Sequence, residues 1–154
     1  MEINKKAPVF KAKDSEGNVH SLKDYIGKKL ALYFYPKDST PTCTVQSCSL
    51  RDGFAELKKQ GIEIFGVSAD DENSHKKFIE KHKLPFPLLV DTDKKIIESY
   101  GVWVEKSMFG NKYMGIKRTT FLINEKGILV GIIDKVKAKE HASQIINAWK
   151  KLAN

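Results

Sequence analysis

A chain of 154 residues, 41% hydrophobic and 30% charged, has the size and make-up of one folded domain; its composition is neither disordered nor membrane-embedded. A chain of this length buries roughly two-thirds of its unfolded surface and needs no disulfide or metal staple to fold. The formal charge of +8 comes from lysine pairs scattered along the chain, with no run of five like charges, which favours solubility over a specific nucleic-acid face. The N-terminal residues lack the apolar core of a signal peptide, and no stretch approaches the ~18 apolar residues of a membrane span. The expectation is a single cytoplasmic domain over residues 1–154 with no membrane association.

In chain order, a short hairpin is expected before Tyr25, turning at residues 15–18. Residues 29–35 form a near-continuous apolar run rich in strand formers that ends at Pro36, as a buried central strand does. A helix follows from about Thr42 or Cys43, with Leu50, Phe54 and Leu57 at helical spacing. Residues 62–68 read as a second strand, 73–82 as a helix and 94–100 as a short helix. Residues 118–123 and 128–133 are two strands joined by the turn signal Asn124-Glu125-Lys126-Gly127. The final helix, 139–152, places Ala142, Ile145, Ile146, Trp149 and Leu152 on one stripe. This order predicts an α/β fold of thioredoxin-like plan, a central mixed sheet with helices on both faces and a short N-terminal hairpin.

The chain has two cysteines, Cys43 and Cys48, too few for a disulfide framework or a cysteine-rich zinc site, and its four histidines are dispersed. No metal and no cofactor are expected. In a reducing compartment such a cysteine pair is either inert or redox-active, and composition does not choose. Position says more. The loop after the first central strand lies where open α/β sheets place their sites, and Cys43 falls in the first turn of the helix that follows. Free N–H groups and the positive dipole end favour an anion there, and a thiolate is one.

Magnitudes show that the helix end is not enough. A free thiol of pKa ~8.5 is only about 3% ionised at pH 7, and bringing it to ~6 takes roughly 3.4 kcal/mol. A helix terminus supplies ~0.3–1 kcal/mol, and about 2 at best. A fixed cation is needed, and the chain has two arginines against 25 lysines. Arg51 lies two turns beyond Cys43 on the same helix, out of reach. Arg118 opens a strand whose end can approach the helix start; its residue type alone leaves a surface ion pair open.

The pattern Pro36-x-x-x-Thr40-x-x-Cys43 resembles the peroxiredoxin active-site motif, with Arg118 at the place of that family's distant arginine. The wider stretches 34–52, 101–106 and 115–123 resemble the bacterioferritin-comigratory-protein, or PrxQ, group, and the likeness covers nearly the whole chain. One departure is Thr42, where many members have Gly. The resemblance implies a thiol peroxidase. Cys43 would attack the terminal oxygen of hydrogen peroxide or an organic hydroperoxide and become sulfenic acid. The Thr40 hydroxyl, the Cys43 N–H and Arg118 would line the oxygen pair, and Pro36 would shield it. Thr40 also reads as a helix N-cap, Gln46 as a brace for Arg118 or a solvated helix residue, and Trp103 as local packing.

The same resemblance implies that Cys48 resolves the sulfenic acid as an intramolecular disulfide. In an ideal helix the two Cα atoms stand about 8.7 Å apart, whereas a disulfide needs ~7 Å or less. The helix must therefore unwind locally, and the hydroxyl and β-branched residues between 42 and 49, with Gly53 beyond, are mediocre helix formers. A thioredoxin-type dithiol would then reduce the bond. A monomer is expected. A thioredoxin-like disulfide oxidoreductase is the alternative, although the usual Cys-x-x-Cys is missing; a non-catalytic redox switch is another.

Overall fold

A computed structural model describes residues 2–152. Its centre is a five-stranded mixed sheet built from β3 (Lys29–Phe34), β4 (Ile62–Ser68), β5 (Leu88–Val90), β8 (Thr119–Ile123) and β9 (Leu129–Ile133), in the order β5-β4-β3-β8-β9. The β3–β4 and β4–β5 pairs are parallel, and β3–β8 and β8–β9 are antiparallel. Every residue of β8 and all but the first of β3 are buried, as a strand covered on both faces requires.

One face of the sheet, with Ala31, Tyr33, Ile64 and Leu122, packs against side chains of α1 (Pro41–Asp52), α2 (Phe54–Lys59), α3 (Glu72–His82) and α5 (His141–Leu152). The other, with Leu32, Phe34, Phe65 and Phe121, is covered by α4 (Lys95–Ser99) and by the N-terminal segment through Phe10 and Leu22. That segment carries the expected hairpin, β1 (Lys11–Lys13) with β2 (Val19–Ser21). Asp14 organises its turn by accepting from the backbone N–H groups of Glu16 and Asn18.

Several expectations change. The helix carrying the cysteines starts at Pro41, since proline suits a first turn that needs no N–H partner. It also breaks into α1 and α2 at Gly53. A Cβ built there would stand 2.4 Å from the Ala142 Cβ, so glycine is required by the close passage of α5. Arg118 sits just before β8, which begins at Thr119. The last helix is preceded by a 3-10 turn, Ala138–Glu140, and its Leu152 is 47% exposed, off the buried stripe. Three strands escape the sequence reading: β5, and β6 (Trp103–Met108) with β7 (Asn111–Ile116), a hairpin that forms its own two-stranded sheet. Trp103 packs at the base of that hairpin against the second core face.

Gly53→Ala tests the close passage. Helix propensity would add about 1 kcal/mol, but forcing a methyl against a rigid Cβ costs about 1–3 kcal/mol. A net loss of stability is expected in urea denaturation; a gain would contradict it.

Candidate functional site

The register of the sheet builds the site. Phe34 pairs with Thr119, so the end of β3 and the start of β8 lie side by side, with the loop to α1 leaving one and Arg118 entering the other. Arg118 reaches the helix from this position. Its Nη2 donates to the Cys43 Sγ at 3.2 Å, and its Nη1 donates to the Gln46 Oε1 at 2.5 Å. Cys43 is 1% exposed and Gln46 fully buried. One planar fork thus spans two side chains three residues apart on α1, a geometry that a lysine could not reproduce. Gln46 is the brace of Arg118, not a solvated helix residue.

Thr40 occupies the N-cap position, where its carbonyl accepts from the Thr44 N–H at 2.9 Å. Its side chain does not cap the helix. The hydroxyl turns back and donates to the Lys37 carbonyl at 2.9 Å, which commits its proton and leaves the oxygen free to accept. Pro36 is half-buried, two residues beyond the end of β3. Thr42 lies within α1, outside the left-handed backbone region, so its conformation does not demand the glycine common in the family.

A buried polar lock fixes the loop from behind. Asp38 accepts from the Tyr35 hydroxyl at 2.5 Å, the Ser74 hydroxyl at 2.8 Å and His75 Nδ1 at 2.7 Å. The Asp38 N–H donates to Asp70, which also accepts from the Ser68 hydroxyl. His75 donates its other nitrogen to the Leu89 carbonyl. Burial works to depress the His75 imidazole, but the bond and charge of Asp38 prevail and hold it above its ordinary value. Ligand atoms of Asp38, Asp70 and His75 lie within 4.8 Å of one another, yet each already has a hydrogen-bond partner, so the cluster acts as a hydrogen-bonded strap joining the loop to β4, β5 and α3. Ser39 takes a left-handed conformation (φ 64°) between the anchored Asp38 and Thr40.

Two neighbours escaped the sequence reading. Lys106 of β6 is held below the usual lysine range by burial and then by the charge of Arg118, with Cys43 opposing. His141 is driven down to about 4, mainly by burial. It is therefore neutral, bonded to Thr120 at 2.7 Å and Gln144 at 2.8 Å. Neither has a spacing signal; only folding brings β6 and α5 beside Arg118.

Cys48 is half-buried on the same unbroken helix as Cys43, and both are free thiols. Its Sγ lies 3.8 Å from the Nδ1 of His82 at the end of α3. Arg51 is engaged at the far end of α1: Nη1 donates to the His82 carbonyl at 2.9 Å and Nε pairs with Asp52 at 3.0 Å.

The AhpC/TSA family matches residues 3–132. A Bcp peroxiredoxin of Bacillus subtilis is 44% identical over 153 residues, covering 99% of this chain and 98% of that one. The bacterioferritin comigratory protein of Xanthomonas campestris, studied for alkyl peroxide reduction, superposes with a TM-score of 0.87 at 36% identity, covering 94% and 92% of the two chains. A cysteine-to-serine variant of PrxQ from Xylella fastidiosa gives a TM-score of 0.93 at 30% identity, over 100% and 98%. A thioredoxin-like sheet, a cysteine at the start of the helix after its central strand, and these likenesses agree: the chain belongs to the AhpC/TSA family, in its Bcp/PrxQ group, and is a thiol peroxidase that takes a peroxide and a thiol reductant.

Proposed function

We propose that Cys43 is the peroxidatic nucleophile and Cys48 its resolving partner, with Thr40, Arg118 and Pro36 forming the peroxide pocket and Gln46 supporting Arg118. The observation that carries this reading is the 3.2 Å bond from the Arg118 guanidinium to the Cys43 sulfur. The bond sets a fixed positive charge against the sulfur, where the attacking species, a thiolate, carries its negative charge. The sulfur attacks the terminal oxygen of ROOH; the O–O bond breaks, sulfenic acid forms, and RO⁻ takes up a proton to leave as water or alcohol. Negative charge moves from sulfur to the leaving oxygen, and Arg118 and the Cys43 N–H are placed to follow it. Thr40 contributes as an acceptor, because its own proton is held by Lys37; it fixes the hydroperoxide O–H.

The substrate reading extends to alkyl hydroperoxides. A hollow of about 460 Å³ beside the first turn of α1, with Pro41, Thr42, Val45 and Ala138 on its walls and Lys137, Lys139 and Glu140 also lining it, has room for a hydrocarbon tail, and the Xanthomonas relative is described for alkyl peroxides. Disulfide formation requires α1 to unwind between the two cysteines, and a thioredoxin-type dithiol completes the cycle. In the same proposal the enzyme is a monomer of one domain in the cytoplasm. Among the described residues no helix is long and apolar enough to cross a membrane.

Stopped-flow oxidation tests the assignment. Cys43→Ser is expected to lose peroxide consumption down to the uncatalysed background, and a variant that retains the parental rate would overturn it.

A further inference from the structure

The contact between α1 and α3 is more than packing. Cys48 Sγ and His82 Nδ1 stand 3.8 Å apart, and the imidazole is oriented by an edge-on contact with the Phe78 ring, centroids 5.3 Å apart. Arg51, three residues beyond Cys48, ties the end of α1 to the end of α3 through the His82 carbonyl. Leu50, fully buried, anchors the same turn. These restraints all lie at or beyond Cys48, whereas the residues that must unwind lie before it. An opening confined to the residues between the two cysteines therefore leaves the contacts of Cys48, Leu50 and Arg51 intact.

We propose that His82 is a catalytic base for the resolving step. This deepens the assignment of Cys48 as resolving thiol and rests on it. His82 Nδ1 takes the proton from the Cys48 thiol. The thiolate attacks the sulfenic sulfur of Cys43, forming the S–S bond and breaking the S–O bond. The departing hydroxide takes the proton back from the imidazolium, and one water is released, with no outside oxidant or reductant.

The charged surroundings suit the role. On α1 the ring faces Cys48 and Arg51, whose charge is shared with Asp52; on α3 its neighbour is Lys81. Burial first, then Lys81 and Arg51, hold the imidazole below its ordinary value, so it is a free base at neutral pH. A neutral thiol is a poor nucleophile, so a base beside it speeds the step most where the thiol is protonated.

The experiment is a single turnover with one equivalent of hydrogen peroxide, quenched in acid and read by intact mass. Sulfenic acid and disulfide are counted separately from pH 6 to 9.5. In His82→Gln the first oxidation should match the parent, while disulfide formation slows about tenfold at pH 7 and rises with pH until the two proteins converge near pH 9. Imidazole added to His82→Ala should restore part of the rate. A His82→Gln rate equal to the parent at pH 7, or reduced by one factor at every pH, would overturn the role of His82. A parent protein that never forms the Cys43–Cys48 bond would instead overturn the assignment of Cys48.

Discussion

Arg118→Ala is expected to lower the second-order rate of Cys43 oxidation by about 10²–10³-fold, the usual consequence of removing a preorganised donor from developing negative charge. The effect has two parts. The fork that meets the sulfur at 3.2 Å also holds Gln46, so truncation removes the charge and releases a buried amide from its partner. Arg118→Lys separates them. It keeps a positive charge but cannot bridge both side chains, and should fall between parent and alanine. Competition against a second peroxidase, or stopped-flow fluorescence at pH 7, reads the rates. A change of less than about threefold in the alanine variant would remove Arg118 from the chemistry, since this is well below the loss expected for one such donor.

Cys48→Ser should give the opposite signature. Peroxide consumption in the first turnover stays at the parental rate, because Cys48 faces His82 rather than the Arg118 pocket. Sustained turnover with a thioredoxin system falls to background, since the sulfenic acid has no partner thiol. Mass spectrometry should then find Cys43 one oxygen heavier, and two oxygens heavier under excess peroxide. Unimpaired cycling in this variant would show that the external dithiol attacks Cys43 directly, and the intramolecular disulfide would lose its place.

The sequence carries the fold where burial leaves a pattern. The strands β3, β4 and β8 are legible as apolar runs because sheet positions covered on both faces select apolar residues, and β9, an edge strand with only Leu129 buried, is legible from its apolar run after the Asn124–Gly127 turn. The β6–β7 hairpin is invisible for the converse reason: most of it stands clear of the core, Phe109 at its tip is 97% exposed, and no buried face imposes alternation. Its turn uses positive φ at both Phe109 and Gly110, without the Asn-Gly signal that would announce it. The three-residue β5, preceded by Pro85 and Pro87, reads as a breaker. Within the site, Arg118 was legible because arginine is scarce in this chain and the chemistry demands a fixed cation. The strap of Asp38, Asp70 and His75 was not, since its partners stand up to 37 residues apart and meet only through β4 and α3. Thr40 was legible in place but not in polarity, because the direction of its hydroxyl depends on the fold of the preceding loop.

The two sides of the pocket are held by different means, with a consequence for the catalytic cycle. Pro36 and Thr40 flank a loop clamped by buried carboxylate and imidazole groups, and Arg118 leads into the central sheet, whereas Cys43 is carried by the first turn of α1. Opening that turn leaves the mould standing while its casting is withdrawn. After reduction, restoring the competent enzyme takes only the rewinding of a few residues into a waiting template, which helices of this size accomplish in about a microsecond or less, far too fast to pace the cycle.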